Sequence, residues 1–223
     1  IIKNDPVIVD IRSILKAFAK VLSTDSFYKN LLSTLKIVLA GILFAIVAGI
    51  AIGVIMDLSK TAKELLTPII ELFRNIPSIT LFPILLTIYG IGDTSRILII
   101  FWTSIPPIIL SCSYGLRTIE RSVLEAAKTS GANKIQLMVA IKMPLAMPEI
   151  LNGIKIAIGS GFIAIVVAEM LGATKGLGFM IMWSTNAFKY DETYAYIMII
   201  ALVGAATNYI MSMIIKAYER KML

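Results

Sequence analysis

Residues capable of chemistry are few in this sequence, and their spacing points to docking rather than to bond-making. The chain holds no histidine and a single cysteine, Cys112, set in an apolar stretch. That excludes imidazole catalysis, histidine-ligated metals and an intrachain disulfide, and it leaves Cys112 as a small core residue. No Gly-x-x-x-x-Gly-Lys-Ser/Thr occurs, since Gly172-Ala-Thr-Lys-Gly is too short and Gly176-Leu177-Gly178 reads as a turn beside the membrane. Nothing in the chain therefore cradles nucleotide phosphates. The acid pair Asp191-Glu192 is adjacent and reads as solvated, and no nucleophile–base pair presents itself. Glu169 interrupts an apolar run from Ile156 to Ala173. An ionised carboxylate facing lipid there would cost about 2.5–3.5 kcal/mol. It is expected to face the bundle or the interface, or to pair with a partner such as Lys155 or Lys175, a structural role weighed above a solute contact.

The middle of the chain carries a different pattern. Ile119, Val123, Ala126, Ala127 and Ser130 recur near helical spacing and make one small, flat face. Ala126 and Ala127 let another surface come close, and Gly131 can take the left-handed conformation that ends a helix. A second amphipathic helix is expected from Lys134 to Met143, stopping at Pro144. A helix–turn–helix with such a face is a docking element; on the residues alone it also reads as a surface loop without a partner.

The elements that must hold this loop are membrane spans. Of the 223 residues 58% are hydrophobic, well above an ordinary soluble domain, and the charges fall in bands separated by long empty stretches. Ile37–Met56 and Ile97–Leu116 are each twenty residues without a charge, about 30 Å of helix, enough to cross the hydrocarbon core. Asn75–Gly92, Ile156–Ala173 and Thr193–Ile215 complete five spans. Pro77 and Pro83 interrupt the second, and Pro106-Pro107 should kink the third. Gly41, Gly49 and Gly53 suit close packing against another helix, or reflect the ordinary tolerance of membrane helices for glycine.

Placing 117–155 inside puts twelve Lys/Arg on the inner side against Arg96, Lys175 and Lys189 on the outer loops, as the positive-inside rule requires. Residues 1–30 dissent, because Lys3, Arg12, Lys16, Lys20 and Lys29 then lie outside. A helix preceding Ile1 would accommodate them, so five visible spans of a native six are expected, with 1–30 as an extracytoplasmic segment. The net charge of +7 is read as cytoplasmic loops facing anionic lipid, and nucleic-acid binding is not expected. Ser111, Ser160, Thr207 and Asn208, with Glu169, are candidates to line a path, although helix–helix hydrogen bonding explains each as well.

Glu125-Ala126-Ala127, then Gly131, Ile141 and Pro144 at their intervals, resemble the signature loop of bacterial ABC importer permeases, with Met143 where that pattern has leucine. Over about residues 30–220, Arg74-Asn75-Ile76-Pro77-Ser78, Tyr89-Gly90-Ile91-Gly92 and Ala168-Glu169-Met170-Leu171-Gly172-Ala173 with Gly176-Leu177-Gly178 look like the nitrate/sulfonate/taurine-type branch of the MetI-like fold. The glycine betaine/choline branch is the nearest rival. The resemblance implies an all-α polytopic transmembrane bundle, a single domain over 1–223, multi-pass in the bacterial inner membrane. It further implies that Glu125, Ala126, Ala127, Ser130, Gly131, Ala132, Ile141 and Pro144, within the cytoplasmic loop 117–155, form coupling helices for a separate ATPase. Two ATPase subunits, a second copy of the permease and an extracytoplasmic solute-binding protein are the implied partners. ATP and Mg would be bound by the ATPase, with no cofactor and no enzymatic activity in this chain. An ion-coupled secondary transporter, the alternative from another class, would show an internal repeat and several intramembrane charges. Neither stands out in the sequence.

Overall fold

The computed structural model describes residues 9–222, with side chains described as far as Arg220. The elements are helices: α1 (Ile11–Leu22), α2 (Asp25–Leu58), α3 (Lys60–Asn75), α4 (Ser78–Tyr89), α5 (Asp93–Arg117), α6 (Arg121–Thr129), α7 (Lys134–Gln136), α8 (Met143–Gly172), α9 (Leu177–Asn186) and α10 (Tyr190–Met222). A π-helical stretch, Leu137–Lys142, joins α7 to α8.

Four stretches are long and apolar enough to cross a membrane, namely Asp25–Leu58, Asp93–Arg117, Lys134–Gly172 and Tyr190–Arg220. The second span expected from the sequence, 75–92, falls instead in a pair of helices, α3 and α4, bent by 90° between Asn75 and Ser78. The break follows from Pro77. Ile76 is pushed to an extended conformation (ψ 120°), since the proline ring forbids the helical geometry to the residue before it. By contrast α5 runs on as one helix through Pro106 and Pro107.

Of the expected extracytoplasmic segment 1–30, residues 9–30 hold α1 and the start of α2, whose first turn is capped by Thr24 Oγ1 accepting the Phe27 N–H at 3.4 Å. The expected helix Lys134–Met143 does not stop at Pro144 but continues into α8, so 143–155 belong to a spanning helix. Pro144 lacks the N–H that would reach Ala140 in α-register. The preceding turn is wound wider, and Met143 N–H bonds to Met138 O.

The helices pack as two compact units, each assembled from three separate stretches. This interleaving leaves no linker for a sequence to reveal. The first takes 9–41, 78–100 and 161–207, and its core joins Ala17 and Val21 of α1, Phe27 of α2, Leu177 and Ile181 of α9, and Ala195, Tyr196 and Ile199 of α10. The second takes 42–77, 101–160 and 208–222. There α2 lies directly on α5: a Cβ at Gly49 would fall 2.7 Å from Ile108 Cγ2, and one at Gly53 2.7 Å from Cys112. The glycines of α2 are therefore packing positions, not mere tolerance.

Candidate functional site

The first unit contains a buried polar cluster built around Glu169, whose residue is 1% exposed. Its carboxylate receives the Thr34 hydroxyl at 2.9 and 3.0 Å and the Gly178 N–H at 3.0 Å. Arg96 Nη1 lies 3.7 Å from Oε1. Arg96, itself 3% exposed, also pairs with Asp93 and donates to Gly92 O at 3.2 Å and Lys175 O at 3.4 Å. Neither Lys155 nor Lys175 supplies the side-chain partner expected for Glu169. Lys175 contributes only its carbonyl to Arg96, and the counter-charge is Arg96, which the sequence places among the outer-loop charges.

The cluster holds the start of α9. Gly176 N–H donates to Asn30 Oδ1 at 2.7 Å, Leu177 N–H to Thr34 Oγ1 at 2.9 Å, and Gly178 N–H to Glu169. The first N–H groups of a helix have no partner within it, and leaving them bare at membrane depth is costly. Side chains of α2 and α8 satisfy all three. A carboxylate there also complements the positive end of the α9 dipole. With ten residues, about 15 Å, α9 is too short to span. Gly176-Leu177-Gly178 is thus the seat of this helix and not a surface turn.

Both glycines are required. Gly176 has φ 122°, a region open almost only to glycine, and a Cβ there would land on the Glu169 carboxylate. A Cβ on Gly178 would press into Val166 O. Gly176→Ala is expected to cost roughly 2–5 kcal/mol from strain and overpacking together. Gly92→Ala, with open space at its Cβ, should leave the detergent melting temperature unchanged, and equal melting of the two variants would refute this account.

The remaining path candidates do not join this cluster. Ser160 Oγ donates to Ile156 O at 3.1 Å and Thr207 Oγ1 to Val203 O at 2.8 Å, each within its own helix. Ser111 packs across Gly153 of α8, and Asn208 is exposed. The acid pair is also less solvated than its sequence suggests: the Glu192 side chain is 13% exposed and meets Lys20 at 3.0 Å.

In the second unit the central loop takes the expected helix–turn–helix form. α6 ends in a Schellman turn, with Gly131 at φ 87°, Gly131 N–H on Lys128 O at 3.0 Å and Ala132 N–H on Ala127 O at 3.1 Å. Asn133 and Gln136 then form a capping box at the start of α7. Glu125, Ala126 and Ser130 are exposed, as are Val123, Ile135 and Val139, while Ala127, Ala132, Ile141 and Pro144 are partly buried.

The base of the loop is tied down. Met138 is buried with Cys112, Leu116, Ala146 and Ile150. Lys142 forms an ion pair with Asp57 at the end of α2, their side chains 14% and 8% exposed. Pro148 cannot donate to Pro144 O in α8, and the Tyr218 hydroxyl of α10 supplies the missing bond at 3.3 Å. The loop thus has an exposed tip and a base fastened to two spanning helices. Sequence reading missed Asp57, Lys142 and Tyr218 as a set, because nothing local pairs residues so far apart.

Comparison with known proteins agrees with this architecture. Residues 37–223 match the family described as binding-protein-dependent transport system inner membrane component. The taurine transport system permease protein TauC of Escherichia coli K12 is 32% identical over 197 residues, covering 88% of this chain and 70% of that protein. The nitrate import permease protein NrtB of Leptolyngbya laminosa is 31% identical, covering 87% and 70%. Among solved structures, a chain of the MetNI methionine ABC transporter in an inward-facing conformation superposes with a TM-score of 0.72 at 21% identity, covering 83% of this chain and 92% of that one. The chain belongs to the binding-protein-dependent transport system inner membrane components, and it is the membrane-spanning permease of an ABC importer.

Proposed function

We propose that this permease imports a small solute bearing an oxyanion group, handed over by an extracytoplasmic binding protein and driven by a separate ATPase that docks on α6 and α7. The solute class is supported by the printed functions of relatives, which include taurine, nitrate and aliphatic sulfonate permeases. The observation that carries the docking site is the form of the central loop: exposed Val123, Ala126, Ile135 and Val139 at its tip, and Asp57 and Tyr218 holding its base. Exposed apolar side chains on a charged loop gain from burial against a partner, and a fastened base carries the partner's movement into α2 and α10. Glu125, Ala126, Ala127, Ser130, Gly131 and Ala132 form the docking turn, with Ile141 and Pro144 in its base. ATP and Mg belong to the ATPase, two of which would serve a pair of permeases. Glu169 acts as a mount for α9, and Ser111, Ser160, Thr207 and Asn208 are proposed to border the path.

Co-expression with an ABC ATPase subunit from the same genome tests this reading. The wild-type chain should co-purify with the ATPase from detergent. A Glu125→Arg, Gly131→Pro variant should not, because proline cannot adopt φ 87° or donate to Lys128 O. Equal recovery of the ATPase with a folded variant would remove α6 from the docking site.

A further inference from the structure

α1 has three faces where an ordinary surface helix has two. At 100° per residue, Ile14, Ala17, Phe18 and Val21 share one sector, and Ala17 and Val21 are each only 4% exposed against the first unit's core. Ile11 and Leu15 occupy the next sector and stay 60% and 52% exposed. Arg12, Lys16 and Lys20, four apart, line the third, all exposed. Water gains nothing from the middle face. A helix with an exposed apolar strip beside a basic row suits the headgroup boundary of a bilayer, with lipid chains on the strip and anionic headgroups on the row.

Its surroundings place it at that level. α1 ends at Leu22, and the spanning helix α2 begins at Asp25. Lys20 reaches Glu192, which also lies 3.9 Å from Lys189, and Lys189 Nζ sits 4.8 Å over the Trp183 ring. Beside it, Phe188 is 78% exposed in a left-handed conformation (φ 57°), uncommon for a bulky residue. Aromatic rings gather at membrane–water boundaries, and this turn is joined through Glu192 to the basic row of α1.

We propose that α1 and the Phe188 turn form a platform at the membrane surface that binds anionic phospholipid, with Arg12 and Lys16 as the headgroup ligands and Ile11 and Leu15 among the acyl chains. The full chain in nanodiscs of phosphatidylcholine with and without phosphatidylglycerol tests it. In a Cys112→Ala background, which removes the sole cysteine, an environment-sensitive fluorophore is placed at Leu15→Cys or at Ser13→Cys. The Leu15 probe should be quenched by spin-labelled lipid and the Ser13 probe by aqueous iodide. Phosphatidylglycerol retained through detergent extraction should drop several-fold in Arg12→Gln, Lys16→Gln, given the favourable partitioning of each basic residue at an anionic surface. Exposed positions such as these are not expected to alter folding, and an unchanged melting temperature checks that. Iodide quenching of Leu15 as strong as that of Ser13 would identify the strip as a protein-docking face and overturn the proposal. Unaltered phosphatidylglycerol retention in the double variant would overturn it too.

Discussion

Glu169→Leu should lower the stability of the chain by about 3–5 kcal/mol, the range for removing one partner of a buried charge pair. The loss has two sources. The Gly178 N–H and the buried Thr34 hydroxyl lose their acceptor. Arg96, 3% exposed, keeps Asp93 but loses the charge that faces it from α8. Glu169→Gln should cost less, about 1–3 kcal/mol. Its carbonyl can still accept from Gly178, while its amide turns a donor toward Arg96. Glu169→Leu combined with Arg96→Leu should cost less than the sum of the single changes, since two charges in contact couple by about 0.5–3 kcal/mol. Trp183 on α9 gives a second readout once Trp102 is replaced by phenylalanine. Its emission should shift red in Glu169→Leu as α9 leaves its seat, and stay unchanged in Glu169→Gln. Should Glu169→Leu melt like the wild type, the carboxylate does not hold α9.

The spans and the helix–turn–helix of the central loop were legible because their signals are local. Runs of uncharged residues mark α2, α5 and α10, and Gly131 marks the end of α6 through its own conformational freedom. Glu169 could be recognised as buried from its apolar flanks, and a structural role followed from the energy of charge in hydrocarbon. Its partner could not. Arg96 sits three residues after Asp93 and reads as an outer-loop charge, and only the fold brings it to Glu169. The three N–H groups of Gly176, Leu177 and Gly178 belong to a helix too short and too glycine-flanked to announce itself. The division into two units was hidden for a related reason: four long helices pass from one into the other, so no composition change marks a boundary. The break at Ile76–Pro77 was visible as a proline, but a proline alone does not tell a broken span from a continuous one, as the unbroken α5 shows.

Lys142→Met should leave the ATPase bound while weakening what the permease does to it. The proposed docking tip lies in α6 and α7, and Lys142 lies behind it, paired with Asp57. Once that pair is broken the loop keeps its exposed face but loses its tie to α2. In proteoliposomes the stimulation of ATP hydrolysis by the permease should fall about five-fold or more, the scale of a coupling energy of 1–3 kcal/mol, with co-purification unchanged. Breaking a buried pair also destabilises, so a folding defect must be separated from an uncoupling one. Lys142→Met with Asp57→Asn removes both charges and with them the unpaired carboxylate. It should recover the melting temperature without recovering stimulation, because no ionic tie is rebuilt. Lys142→Arg keeps the tie and should retain most of the stimulation. Recovery of both properties in the double variant would make the pair a matter of stability alone. Loss of co-purification in Lys142→Met, with melting unchanged, would place Lys142 in the docking surface itself.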